Sequence, residues 1–125
     1  MAHYVDNQQF LELLREYKKS GKANRVNYNL LGKIFLSIST NFINKINTIS
    51  YSQDRKEEMI SDATYYMVKY MDRFDTTKDK PFSYFTTIAR NAFLQNINEY
   101  NRLDDMFKSL DYIEDFSIES IDLDK

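Results

Sequence analysis

Cysteine is absent from this sequence, and histidine occurs only once, at His3. Without thiols the chain can form no disulfide, no cysteine-ligated metal centre and no thiolate nucleophile. One isolated histidine cannot supply a catalytic triad or a histidine metal site, and the many carboxylates form no cluster at metal-ligand spacing. We therefore expect a protein that is not an enzyme and that carries no metal or cofactor.

Glycine and proline are almost as scarce, since the sequence contains two glycines and one proline. Tight hairpins draw on residues that accept a positive φ, so a sheet protein is disfavoured. The 42% of hydrophobic residues suffice for one modest core, and 125 residues suit a single domain. No apolar run approaches the ~20 residues that span a bilayer, and no secretion signal opens the sequence. We expect a soluble, intracellular protein with no membrane partner.

Hydrophobic residues recur at helical spacing in four stretches. The first predicted helix is capped by Asp6 and the third by Ser52 or Asp54. The second and fourth helices cover about 29–49 and 82–101. The predicted fold class is therefore all-α, a compact bundle of about four helices.

An acidic segment follows this bundle. From Asp104 onward eight acidic residues are balanced only by Lys108 and Lys125, giving −6, whereas the preceding residues hold 15 basic and 11 acidic side chains, giving +4. We therefore divide the chain into a helical domain at 1–103 and an irregular acidic tail at 104–125. A basic body suits a nucleic-acid partner and an acidic tail suits another partner, although such a tail can also serve only to keep the protein in solution.

Aromatic, basic and amide side chains are concentrated after Pro81. Aromatic rings stack on unpaired bases, worth ~1–3 kcal/mol each, while arginine attracts phosphates and asparagine and glutamine read base edges. An ordinary amphipathic helix has a similar composition, so the pattern alone does not establish DNA binding. The candidate DNA-binding residues are Phe82, Tyr84, Phe85, Thr87, Arg90, Asn91, Gln95, Asn98 and Arg102.

Three segments, in this order, resemble conserved region 2 of the sigma-70 family of RNA polymerase sigma factors. They are Glu-Met-Ile-Ser-Asp-Ala at 58–63, Phe-Asp at 74–75, and Phe-Ser-Tyr-Phe-Thr-Thr-Ile-Ala-Arg-Asn at 82–91. The likeness covers about 4–102 and is greatest to the late-transcription sigma factors of T-even-type phages. It implies the helical fold of sigma factor domain 2 and a role in promoter recognition in the cytoplasm of a bacterial host.

The resemblance also implies where each partner binds. The third helix would contact the clamp coiled coil in the largest subunit of core RNA polymerase. The segment after Pro81 would recognise and melt a −10-like, A/T-rich promoter element. An alternative is a polymerase-binding regulator that occupies the same clamp site without reading DNA. The implied polymerase-binding residues are Glu58, Met59, Ile60, Asp62, Ala63 and Tyr66.

Two departures from the family pattern bear on mechanism. Ile88 and Ala89 stand where housekeeping sigma factors carry two tryptophans that wedge the upstream edge of the melted bubble. The sequence also shows no helix-turn-helix domain for a −35 element. We therefore expect weak intrinsic promoter binding and dependence on a coactivator.

The acidic tail contains one further resemblance. Ser-Leu-Asp-Tyr-Ile-Glu at 109–114 is similar to the epitope by which T-even late sigma factors hold the phage sliding clamp, but eleven residues follow it here. It implies a sliding clamp or coactivator as a further partner. Alternatively the tail folds back and shields the basic DNA face, or it only solubilises. The implied docking residues are Leu110, Asp111, Tyr112, Ile113 and Phe116.

Overall fold

The computed structural model of this chain describes residues 4–45, 51–100 and 120–123. Four α-helices make up most of these ranges, which confirms the prediction of an all-α bundle. Short 3-10 turns follow the first and third helices. The helices are α1 (Asn7–Ser20), α2 (Arg25–Lys45), α3 (Gln53–Tyr70) and α4 (Pro81–Tyr100).

Polar side chains begin α1 and α3. The Asp6 carboxylate accepts from the N–H of Gln9 at 2.9 Å, and the Gln9 side chain accepts from the N–H of Asp6 at 3.0 Å, which forms a reciprocal capping box. Ser52, rather than Asp54, caps α3 by accepting from the N–H of Arg55 at 3.2 Å. Each cap satisfies a donor that the helix cannot, and this stabilises the fold by ~1 kcal/mol.

The start of α2 lies four residues before the predicted one. The Asn24 side chain accepts from the N–H of Asn27 at 3.1 Å, so a cap precedes Arg25. The Asn27 amide in turn donates to the carbonyl of Leu13 in α1 at 3.0 Å. These polar residues, whose type is common in loops, therefore cap α2 and attach it to α1.

A cluster of phenylalanine rings fills the centre of the bundle. The ring centroid of Phe85 in α4 lies 4.7 Å from that of Phe35 in α2 and 5.3 Å from that of Phe10 in α1. Phe82 approaches Phe10 to 4.8 Å, and Phe74 approaches Phe85 to 5.7 Å. Because aromatic rings bury large apolar surfaces, this one cluster ties three helices together.

Two short strands join parts of the chain that are far apart in sequence. β1 (Tyr4–Asp6) pairs antiparallel with β2 (Ser120–Asp122), and Val5 lies opposite Ile121. Both side chains are 2% exposed and belong to the hydrophobic core. The expectation of an irregular acidic tail therefore needs correction at β2, which packs onto the helical domain. Three residues are too few to produce a recognisable strand pattern, and nothing in the local sequence of β2 indicates that it pairs with β1.

Candidate nucleic-acid interface

The outer side of α4 carries a row of polar side chains. Thr87, Asn91, Gln95 and Asn98 follow one another at intervals of three or four residues, so they lie along one side of the helix, and all four are exposed. Arg90 is half-buried one turn beyond Thr87. These groups can donate and accept hydrogen bonds with nucleic acid. The buried side of α4 consists of Phe82, Phe85, Ala89, Phe93 and Ile97.

The start of α4 is attached to the start of α1. Pro81 occupies the first position of α4, where a backbone N–H would have no partner within the helix. The N–H of Phe82 donates to the Asn7 side chain at 3.2 Å. This hydrogen bond fixes the position of the helix that carries Thr87, Asn91, Gln95 and Asn98, which we call the polar row.

The loop before α4 is held by α1 as well. Arg15 donates to the Thr76 carbonyl at 3.1 Å, and Lys18 donates to the Asp72 carbonyl. The Tyr17 hydroxyl donates to the Asp72 carboxylate at 2.7 Å. Burial and the Asp72 carboxylate raise the pKa of Tyr17 to about 12, so the phenol remains a protonated donor further into the alkaline range than an ordinary tyrosine.

Within that loop a local turn forms around Asp75. Its carboxylate accepts from the side-chain hydroxyl of Thr77 at 2.7 Å and from the Thr77 N–H at 2.9 Å. These two hydrogen bonds lower the pKa of Asp75 below its ordinary value. The turn leaves Lys78 and Lys80 exposed just before α4, with the exposed Asp79 between them.

The outer side of α3 is acidic. Asp54, Glu58 and Asp62 follow at intervals of four residues, so their side chains lie in one line along the helix. Asp54 and Glu58 are exposed, whereas Asp62 and Ile60 are half-buried. We call the three carboxylates the acidic face. They offer a protein partner a line of negative charge.

A groove of about 410 Å3 lies between α3 and α4. One wall is aromatic and basic, and the other carries two amides of the polar row. The residues that line it are Tyr66, Lys69, Tyr70, Ile88, Asn91, Ala92 and Gln95.

Two tyrosine rings on the α3 wall of the groove are nearly parallel. The ring centroids of Tyr66 and Tyr70 are 6.2 Å apart, and the ring planes differ by 11°. The Lys69 ammonium lies 6.0 Å from the Tyr66 centroid and 5.6 Å from the Tyr70 centroid. The Arg73 guanidinium lies 4.9 Å from the Tyr70 centroid. At these distances a ring attracts a cation, so positive charge is held against the aromatic pair.

Four of the predicted site residues belong to the core instead of an interface. Phe82 and Phe85, predicted to contact DNA, are both 0% exposed, and so are Met59 and Ala63, predicted to contact polymerase. A side chain that solvent does not reach cannot touch a partner unless the bundle opens. These four predictions were therefore wrong, because the residues lie on the inward sides of α3 and α4.

Two predicted site tyrosines lie where α3 meets α4. Tyr66 is half-buried and lines the groove. Tyr84 packs its ring against Phe74 at 5.0 Å, and its hydroxyl donates to the Tyr70 carbonyl at 3.4 Å. Both rings therefore pack partly against the protein, and part of each ring remains exposed to solvent.

The remaining predicted site residues lie outside the described residues. They are Arg102, Leu110, Asp111, Tyr112, Ile113 and Phe116.

Sequence reasoning missed the basic and aromatic part of the groove. The sequence pattern gave no binding role to Lys69, Tyr70 or Arg73. The signal was present in the spacing, because residues four apart on a helix are neighbours and Tyr66 and Tyr70 have this spacing. A lysine and an arginine adjoining such a pair indicate a positively charged aromatic surface.

No family model, curated protein or solved structure matches this chain. In the parts of the chain that the structure describes, no three His, Cys, Asp or Glu residues gather where they could hold a metal ion. Nor does any helix in those parts combine the length and the apolarity needed to cross a bilayer. The polar row, the acidic face and the groove are therefore the features of this chain that bear on its function.

Proposed function

We propose that this protein is an RNA polymerase sigma factor of the phage late type, acting in the cytoplasm of a bacterial host. It binds core polymerase and recognises and melts a −10-like, A/T-rich promoter element, and it catalyses no reaction itself. The observation that carries the proposal is the pairing of two different surfaces on adjacent helices. The acidic face of α3 suits the polymerase clamp coiled coil, and the polar row of α4 suits DNA.

Melting a promoter requires that binding of the opened strand offset the cost of unpairing. That cost is a few kcal/mol per unstacked base, and A/T-rich steps are the easiest to open. Rings and amides that stand close together can retain the unpaired bases. In this chain Ile88 and Ala89 replace the tryptophan wedge, so the tyrosines at the α3–α4 junction are the rings that can take over this role.

The experiment that tests the proposal is run-off transcription with bacterial core polymerase. A premelted A/T-rich template and its fully paired counterpart are compared with and without the protein. We expect RNA from a defined start site on the premelted template only when the protein is added, and little RNA from the duplex unless a coactivator is present. Failure to direct any start, together with failure to bind core polymerase, would contradict the proposal.

Reversing two charges on the acidic face, with Glu58→Lys and Asp62→Lys together, should abolish co-purification with core polymerase. The variant presents two cations where the partner met two anions, and such like-charge contacts cost several kcal/mol. The matched control is Glu12→Lys with Glu16→Lys, which makes the same charge change at the same spacing on the exposed side of α1. Unchanged binding by a double variant that keeps its helical circular-dichroism signal would rule out this face.

Removing amides from the polar row should impair initiation on a duplex promoter. Asn91→Ala and Gln95→Ala should each reduce run-off RNA by about 5- to 150-fold, because a good amide-to-base contact is worth ~1–3 kcal/mol. Core polymerase binding should stay unchanged. Asn29→Ala removes an exposed amide from α2 and serves as the control.

The second candidate function is a regulator that binds the polymerase clamp without reading DNA. It is favoured by the fact that the acidic face and the polar row lie on different helices, so the first can act without the second. Full transcription activity of both amide variants, combined with loss of polymerase binding by the charge-reversal variant, would favour this regulator.

A further inference from the structure

We propose that the groove between α3 and α4 holds one unpaired nucleobase of single-stranded DNA, stacked on the Tyr66–Tyr70 pair. The inference rests on the proposed function, which supplies the melted strand. It gives Tyr66 a role different from the polymerase contact that the resemblance implies, and it adds Tyr70 and Lys69 to the DNA-binding surface.

The size and shape of the groove suit a single base. Its volume of about 410 Å3 lies within the ~300–1,000 Å3 of sites that take small molecules. Ile88 and Ala92 supply apolar surface on the α4 side, where the edge of a ring can pack. A paired duplex has no base free to enter such a groove, so the site selects the opened strand.

The aromatic wall is already arranged for stacking. The planes of Tyr66 and Tyr70 differ by only 11°, so both rings present the same orientation to a planar ligand. The backbone of Tyr70 is held in place because its carbonyl accepts from the Tyr84 hydroxyl at 3.4 Å. A half-buried ring that is already positioned loses little conformational freedom when a base stacks on it.

The charges around the groove favour a phosphate-bearing ligand. The Lys69 ammonium lies within 6.0 Å of both ring centroids, and the Arg73 guanidinium lies 4.9 Å from that of Tyr70. No acidic side chain lines the groove within the described part of the chain. A base stacked on the rings therefore brings its phosphates towards cations.

The α4 wall can read the edge of the base. Asn91 and Gln95 are exposed, lie one turn apart and line the groove. Each amide offers both a donor and an acceptor, as base edges require. The groove therefore offers a π face, positive charge and paired amides to one ligand, a combination that a contact with a protein side chain does not need.

Binding of the full chain to a fluorescent, A/T-rich single-stranded oligonucleotide tests the stacking step. Tyr66→Leu and Tyr70→Leu fill the space without a π face and should weaken the affinity by about 5- to 150-fold. Tyr66→Phe and Tyr70→Phe keep the ring and should bind as the unsubstituted protein does. Tyr28→Leu changes a half-buried tyrosine of α2 that also has a lysine beside its ring but lies outside the groove, and it should leave binding unchanged. Equal affinities of the Leu and Phe variants would overturn the inference.

Photocrosslinking locates the base directly. An oligonucleotide with one 5-iododeoxyuridine, irradiated with the full chain and digested with trypsin, should become attached to the peptides 57–69 and 70–73, with fragmentation placing the bond at Tyr66 or Tyr70. Attachment only to peptides of α1 or α2 would overturn the inference. So would failure of the chain to bind the oligonucleotide both alone and in complex with core polymerase.

Two further experiments distinguish a single-stranded DNA site from a free-nucleotide site and from a polymerase contact. Deoxyadenosine monophosphate that binds as tightly as the oligonucleotide would make the groove a free-nucleotide site and overturn the single-strand assignment. Leu variants that lose core polymerase binding but keep oligonucleotide binding would assign the groove to the polymerase. If the Leu variants still direct normal RNA synthesis from the premelted template, the inference fails while the proposed function stands. If the unsubstituted protein directs none, the proposed function fails.

Discussion

Replacing Phe85 by alanine should lower the free energy of unfolding by about 3–5 kcal/mol. The side chain is 0% exposed, so its removal leaves a cavity lined by rings from several elements. Domains of this size are typically stable by only ~5–15 kcal/mol, so much of the folded population can be lost. The rings that surround it are Phe35 at 4.7 Å, Tyr84 at 4.9 Å, Phe10 at 5.3 Å and Phe74 at 5.7 Å.

Urea denaturation followed by circular dichroism measures this effect. Thr87→Ala changes an exposed residue two positions along the same helix, and it should shift the unfolding free energy by no more than ~0.5 kcal/mol. If the Phe85→Ala protein is as stable as the unsubstituted one but fails to bind DNA, Phe85 contacts DNA and does not serve the core.

For Phe82 and Phe85 the sequence supports two opposite interpretations, contact with DNA and burial in the core. Their chemistry and their place in the family pattern both indicated stacking on bases. Their spacing with Ala89 and Phe93 indicated the inward side of an amphipathic helix. Burying a phenylalanine stabilises by ~1.5–3 kcal/mol, which is comparable to stacking on one base, but burial operates in every molecule whether or not DNA is present. The helical spacing was therefore the better guide.

The helices themselves were largely predictable because their signals are local. Asp6 and Ser52 act as caps within three residues of the groups that they satisfy. The apolar stripe of each helix repeats every three or four residues, so the four elements can be recognised without knowledge of their partners. The start of α2 was misplaced because Asn24 and Asn27 resemble loop residues until their hydrogen bond is seen.

The groove could not be predicted in the same way because two helices create it. The spacing of Tyr66 and Tyr70 places both on one side of α3, and the spacing of Asn91 and Gln95 places both on one side of α4. Which side of α3 faces which side of α4 depends on the packing of Met59, Ala63 and the central phenylalanines. That information is distributed over the whole core, so the shared cavity emerges only in the folded chain.

Ile121→Ala should lower the free energy of unfolding by about 2–5 kcal/mol, although Ile121 lies in a segment that its acidic composition marks as a tail. Ile121 is 2% exposed and pairs with Val5 across the β1–β2 ladder. Its neighbour Ser120 is exposed, so Ser120→Ala should have almost no effect and is the matched control. Chemical denaturation of the three proteins gives the comparison.

A double-mutant cycle decides whether the two strands act as a unit. If Val5 and Ile121 stabilise each other, the combined Val5→Ala and Ile121→Ala protein should be less destabilised than the sum of the single variants, with a coupling of ~0.5–3 kcal/mol. Strict additivity would mean that each side chain packs independently and that the strands contribute little.

The same pairing changes how the docking role of the acidic segment must be tested. Truncation after Leu103 removes Ile121 together with the predicted sliding-clamp or coactivator contacts at 110–116, so a loss of activity could reflect lost stability alone. Alanine substitutions at Leu110, Tyr112 and Ile113 leave β2 intact and avoid this ambiguity. If docking is their role, stability and basal initiation should be unchanged and only coactivator-dependent stimulation should fall. If the segment shields the DNA face instead, the same substitutions should strengthen binding to single-stranded DNA, because displacement of the segment then costs less.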